Sequence, residues 1–312
     1  MELRPLGFGE IFDRAVTLYI RNFIPFAAIV MVLVLPLAIL QYYLDRAAQP
    51  QFDAILKILT HPGHTAPPNI PNMYESPATI VLMVVTVLLV YLIWPFSLNA
   101  VAVGVARLYR NRPVDFRACY QVVLQRWSQI LALMLVELLV VVGWYVAAIL
   151  VIVAVFFVVA ALSAASAAFA FWFGFIGFVI VFVAMVPLLA PLFVALTFAM
   201  YATVIEESPV IASLLQGFAR VFNRGEFWRA LLFAIATGAV VAGASTAFSV
   251  LGMLAAFAHL PSVEAIIESL SRAVIGPFGV VLLAIYYFDV RIRREGFDLE
   301  SSLERLAGAQ PS

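Results

Sequence analysis

Along this chain, polar residues gather into short islands between long apolar stretches. The stretches run from Phe23 to Leu44, Ala78 to Ala106, Ile130 to Leu162, Phe169 to Ile205, Ala230 to Phe257 and Ala273 to Ile292. An α-helix rises about 1.5 Å per residue, so about 20 apolar residues cross the ~30 Å hydrocarbon core of a bilayer. The pattern predicts an all-α protein with six transmembrane helices. Residues 129–205 are almost unbroken in their hydrophobicity. Both ends of that region join arginine-bearing segments, so the number of crossings there is even, and four spans of ~20 residues with their turns do not fit. Two long spans are expected, joined at SAASAA, residues 163–168, with Pro187 and Pro191 kinking the second.

Amphipathic segments lie between the runs. In GEIFDRAVTLYIRNF, Phe12, Val16, Tyr19 and Phe23 line one face, and Glu10, Asp13, Thr17 and Arg21 another. In SPVIASLLQGFARVF, Ile211, Leu214, Leu215, Phe218 and Phe222 share a face that Ser213, Gln216, Arg220 and Arg224 avoid, and Ser208 and Pro209 suit an N-cap and a first helical position. RACYQVVLQRW is patterned more loosely. Each has the apolar face and the arginines of a helix lying in a membrane interface. QFDAILKILT, residues 51–60, reads as a short amphipathic helix on the opposite interface.

The even-numbered spans fall into register on one proline without a gap: Pro95-FSLNAVAVGVARLYRNRPV, Pro191-LFVALTFAMYATVIEESPV and Pro277-FGVVLLAIYYFDVRIRREG. Pro113 and Pro209 occupy the same later position, where the third copy has Glu295. The inferred unit is an interfacial helix plus two spans, repeated over about 8–112, 113–207 and 208–296. The 312 residues thus read as one membrane domain with an outer loop at 45–77 and a tail at 297–312.

Composition agrees. Mean hydropathy is +1.06 and 12% of residues are charged, against roughly a quarter in soluble domains. Zero formal net charge and a pI near 6.8 offer no basic field for a polyanion, so no nucleic-acid partner is expected. Charge matters here by position. RLYRNRPVDFR, residues 107–117, holds four arginines, open to reading as a nucleic-acid patch, a ligand site or an orientation label. With the N-terminus inside, inner segments carry fifteen basic residues and outer segments three, Arg46, Lys57 and Arg272. This positive-inside asymmetry predicts cytoplasmic N- and C-termini. Arg107, Arg110, Arg112, Arg117, Arg291, Arg293 and Arg294 are then expected at the lipid interface, over anionic lipids of the cytoplasmic leaflet. Tyr19, Tyr109, Tyr120, Trp127, Tyr201, Trp228, Tyr286 and Tyr287 fall where an aromatic belt belongs, whereas Trp94, Trp144 and Tyr145 read as deeper packing residues. The N-terminal residues do not read as a secretory signal. That Lys57 is the sole lysine fits a GC-rich bacterial genome and an inner-membrane location.

Candidate chemistry is sparse. Glu137 is the one acid well inside a predicted span, and intramembrane carboxylates are functional candidates by default. Asn99 and Thr197 share its expected depth and Tyr145 its helical face, so the four define a candidate polar pocket open to the cytoplasm. The alternatives are a protonated Glu137, one bonded to Asn99, or one paired with an arginine reaching in from an interfacial helix. His61 and His64 in HPGHTAPPN lack further ligands for a metal, and Cys119 is the lone cysteine; no metal, cofactor or catalytic constellation is expected. Asp289, beside arginines, reads as a local ion pair. Ala239, Gly243 and Ala247 share a helical face suited to close packing or self-association.

The opening LRPLGFGEIFDRAVTLYIRNFIPF and the ending YYFDVRIRREGFDLE resemble a prokaryotic membrane-domain family named for its fusion, in some members, to glycerophosphoryl diester phosphodiesterases. The resemblance implies a membrane domain. The enzymatic name belongs to the fused soluble part, whose paired histidines and clustered acids hold a metal; His61, His64 and His259 have no such setting, so that activity is not expected here. The reading that follows is a non-catalytic membrane scaffold or accessory module in lipid or envelope biology. A transporter of a small, mostly apolar solute, with Glu137 in its vestibule, is the alternative.

Overall fold

The computed structural model describes residues 4–60, 76–163, 166–223 and 225–295, all helix, turn or irregular chain and without a strand among them. In chain order the helices are α1 (Phe8–Arg21), α2 (Phe23–Thr60), α3 (Pro77–Tyr109), α4 (Phe116–Gln125), α5 (Trp127–Ser163), α6 (Ala167–Ile205), α7 (Val210–Val221), α8 (Phe227–Phe257) and α9 (Pro261–Glu295). One short helix followed by two long ones occurs three times. Among the described residues five helices, α2, α3, α5, α8 and α9, are long and apolar enough to cross a membrane. Helix α6 spans 39 residues and runs through positions 187 and 191 without a break.

Local chemistry sets the helix starts. Gly7 precedes α1, and its N–H donates to Glu10 Oε2 at 2.7 Å, so the carboxylate closes the first turn. Arg4 clasps the same carboxylate at 2.8 Å and, with the Gly7 N–H, holds its pKa below the usual range. Pro77 opens α3 at the position where a missing N–H costs nothing. Asp115 accepts from the N–H groups of Arg117 and Ala118 at the head of α4, and Ser166 from that of Phe169 in α6. Helix α7 starts one residue later than expected: Pro209 is its N-cap, while Ser208 accepts the Ser213 hydroxyl on its carbonyl.

Other boundaries also shift. QFDAILKILT is not a separate helix but the continuation of α2, which runs on through Asp45, Arg46 and Pro50 to Thr60. Helix α9 begins at Pro261, well before Ala273. The segment 61–75, the part of the expected outer loop that holds His61 and His64, and the tail 297–312 lie outside the described residues, as do two positions of SAASAA.

The ends of α3 and α6 match. Each stops fourteen residues after its register proline, at Tyr109 and Ile205, and each is followed two residues on by a left-handed residue, Asn111 (φ 55°) and Glu207 (φ 59°). Asparagine tolerates that conformation. Glutamate does not favour it, and Arg126 holds Glu207 there through its carbonyl and its carboxylate, both at 2.8 Å. The third copy has no such stop, and α9 runs on to Glu295.

The contacts divide the chain into two compact units. In the unit formed by residues 1–125 and 237–312, α9 is central, with 78% of its most apolar stretch buried against 6% for α3. Helices α1, α2 and α3 pack around α9, and α4 lies on α3. Its core includes Phe26, Ile29, Leu282, Tyr286, Tyr287 and Phe288. In the unit formed by residues 126–236, α6 packs between α5 and α7 around Ile130, Val194, Phe198 and Phe233. Long stretches of α5 stay bare, exposing Leu139, Ile149, Leu150, Phe156 and Phe157. Apolar surface of that extent needs a nonaqueous surround.

The expected aromatic belt is corrected. Tyr19, Tyr109, Tyr201, Tyr286 and Tyr287 are buried inside the protein, because α1 and α3 pack with α9 in one unit and α7 packs with α6 in the other, whereas Trp127 and Trp228 are exposed. Tyr145 departs the other way: expected as a packing residue, it is 65% exposed. The buried side of α1 is Ile11, Ala15, Leu18 and Tyr19, a stripe rotated from the expected one, and Val16 faces out.

Candidate functional site

Helices α1, α4 and α7 each dock on one long helix: α1 on α9, α4 on α3, α7 on α6. A polar joint fastens each. The residue twelve positions after the register proline is Arg107 in α3, Thr203 in α6 and Asp289 in α9. Arg107 donates from Nε to the Pro113 carbonyl at 3.0 Å, just ahead of α4. Thr203 bonds the Ser213 hydroxyl of α7 at 2.9 Å. Asp289, 0% exposed, accepts the Leu6 N–H at 2.6 Å just ahead of α1, and Arg293 bridges back from Asp289 (3.1 Å) to the Leu6 carbonyl (2.5 Å). Asp289 is therefore a local ion pair, as expected, and also a long-range anchor that its flanking residues do not announce.

Tyrosines reinforce two joints. Tyr19 on α1 donates to the Val274 carbonyl of α9 at 2.6 Å, and Tyr120 on α4 to the Ile29 carbonyl of α2 at 2.8 Å. Burial pushes both phenols up to about 12. It likewise pushes the Cys119 thiol, inside the α3–α4 contact, up to about 11. On α7 the joint is a bidentate pair of buried Arg220 with half-buried Glu206, 2.8 and 3.0 Å. Gly217 lies directly on α6, where an added Cβ would strike the Ala195 carbonyl. Helix α7 thus turns its small and polar side to the protein and its apolar side outward, with Ile211 75% and Leu215 67% exposed.

The candidate pocket residues are distributed as follows. Glu137 is half-buried on α5, and none of the described residues bonds its carboxylate. Thr197 on α6 turns its hydroxyl onto its own helix, donating to the Phe193 carbonyl at 2.9 Å. Tyr145 is exposed. These three belong to the unit of 126–236, and Asn99 to the other. Asn99 is buried and gives its Nδ2 to the Pro95 carbonyl at 2.9 Å, and none of the described residues bonds its Oδ1.

Residues 1–297 match the family described as Domain of unknown function (DUF8558). The chain belongs to DUF8558. Searches of the curated proteins and of the solved structures each returned no match. The DUF8558 match covers all nine helices, so the three docking joints are features of the family region itself. Within this DUF8558 region the arginines separate into two groups. Arg107 and Arg293 are tied into joints, whereas Arg110, Arg112 and Arg117 are exposed and no described residue bonds their guanidinium groups. Ala239, Gly243 and Ala247 are exposed along α8, and an added Cβ at Gly243 would meet nothing.

Proposed function

We propose that the chain is a non-catalytic scaffold or accessory module of the bacterial inner membrane, with six spans, three pseudo-repeats and both termini in the cytoplasm. The observation that carries the scaffold reading is where the buried charge goes. Asp289 and Arg220, the charged residues buried among the described ones, are both used in joints that hold a short helix to a long one. Machinery for chemistry would instead leave convergent charged groups facing a cavity. The matching ends of α3 and α6, and the shared position of Arg107, Thr203 and Asp289, support the pseudo-repeats. The length and bareness of α6 support a sixth span. A partner docking on Ala239, Gly243 and Ala247, or a second copy there, belongs to the same reading, as does the role in lipid or envelope biology that the likeness to phosphodiesterase-linked membrane domains suggests.

A transporter is the second reading, favoured by one fact: Glu137 is half-buried in an apolar helix with no described partner. The two separate on Glu137→Gln. For a scaffold, the variant keeps wild-type membrane abundance and the same co-purifying proteins after gentle extraction. Lost solute flux in cells, at unchanged abundance, would overturn the scaffold in favour of the transporter.

A further inference from the structure

Helix α4 carries two parallel stripes. Arg117, Gln121 and Gln125 form one, and Phe116, Tyr120 and Leu124 the other, each stepping by four residues. Between them lies an open pocket of about 500 Å³ lined by these six side chains. Residues four apart stack on one helix face, so Phe116, Tyr120 and Leu124 form one wall and the stems of Arg117, Gln121 and Gln125 the other; the surface inside is almost wholly apolar, and the second wall is polar only at its edge. The apolar wall is preset: the Phe116 and Tyr120 rings lie 4.9 Å apart, and the Tyr120 hydroxyl is fixed on the Ile29 carbonyl. The polar wall is uncommitted, since no described residue bonds the Arg117 guanidinium. Exposed Arg110 and Arg112 stand in the segment leading into α4. Asp115 already caps the helix N-terminus, so an anion must be held by guanidinium and not by backbone N–H groups.

The geometry points to a binding site on α4 for an anionic glycerophospholipid. Arg117 takes the phosphate, through the paired N–H donors that guanidinium offers to phosphate oxygens. Gln121 and Gln125 take headgroup hydroxyls or ester carbonyls. Phe116, Tyr120 and Leu124 cover the first acyl carbons. On α2, Met31, Val32 and Leu35 are exposed within two turns of the Ile29 contact and offer apolar surface for the chains. A soluble phosphate would leave the apolar wall bare, and a zwitterionic lipid would place its own cation beside three arginines. The site rests on the membrane placement proposed above, and it adds a ligand to it.

The test uses the full chain in mild detergent, titrated with phosphatidylglycerol or phosphatidylcholine and read by native mass spectrometry as lipid bound per chain. Phosphatidylglycerol is expected to bind preferentially, and Arg117→Gln to weaken it about fivefold, the scale of one basic residue beside an anionic lipid surface. Arg21→Gln, an exposed arginine on α1, is expected to leave the preference intact. Equal binding of the two lipids, an unchanged preference in Arg117→Gln, or an equal loss in Arg21→Gln would overturn the site. Displacement of phosphatidylglycerol by aqueous glycerol 3-phosphate would overturn it too, as a soluble ligand would then suffice. Carbonate extraction of the same membranes separates the two levels: release of the chain removes the membrane placement, whereas retention without lipid preference removes the site alone.

Discussion

Cys119 shows how much a single side chain reports. It is the lone cysteine, fully buried between α3 and α4, where Gly104 leaves room for it: a Cβ on Gly104 would lie 3.7 Å from its sulfur and 3.0 Å from the Phe26 ring. A buried, protonated thiol is inert. Maleimide is therefore expected to label the native protein negligibly at pH 7 and completely after denaturation; fast native labelling would mean that α4 is not docked. The sign with pH follows. Cys119, Tyr19 and Tyr120 have raised pKa values in the fold, so their contribution is full below about 9 and is lost between about 9 and 12 as the unfolded chain ionises first. Thermal stability should fall across that alkaline window. None of this burial was legible from RACYQVVLQRW alone, since its loose pattern hides which side meets α3. Asp289 was legible as an ion pair because Arg293 is one turn away, but its bond to Leu6 lies 283 residues distant and leaves no local trace.

At the level of helices, hydrophobic period and length located the nine described helices, since long apolar runs have few ways to fold, but also set apart residues 51–60, which belong to α2. What they could not set is rotation about the axis. Helix α7 reads as amphipathic either way round; the structure resolves it through Gly217, Ser213 and Arg220, which face α6. That arrangement gives a test with an inverted sign. In an exposed helix Gly→Ala stabilises by about 1 kcal/mol. At Gly217 the new methyl would meet the Ala195 carbonyl and approach the Ala199 nitrogen to 2.8 Å, both backbone atoms that cannot turn aside. Gly217→Ala is expected to destabilise by about 1–3 kcal/mol, read as a lower unfolding temperature in detergent, whereas a rise would remove the close α6–α7 contact from the fold. The candidate pocket around Glu137 was the least legible feature, because depth along a helix is written in sequence and the direction in which a side chain points is not.

Across the whole molecule, the joint of Leu6 with Asp289 and Arg293 brings the segment just ahead of α1 onto α9, so α1 occupies on α9 the place that α4 and α7 occupy on the helices just before them. Asp289→Ala would leave the buried Leu6 N–H without its acceptor, a loss of about 1–3 kcal/mol. Faster amide exchange throughout α1, with α5 and α6 unchanged, is the expected readout, and Asp289→Asn should restore part of the protection because it keeps an acceptor oxygen. The same joint imposes an order on biosynthesis. Helix α1 leaves the ribosome well before the surface that receives it, which is synthesised 283 residues later, roughly 15–60 s at ordinary rates of translation. Until then α1 has no permanent seat, and a chain interrupted anywhere before α9 keeps it unseated. The docking of α1 thus reports that synthesis has passed Asp289, so the moment at which α1 becomes protected in a growing chain dates the arrival of α9.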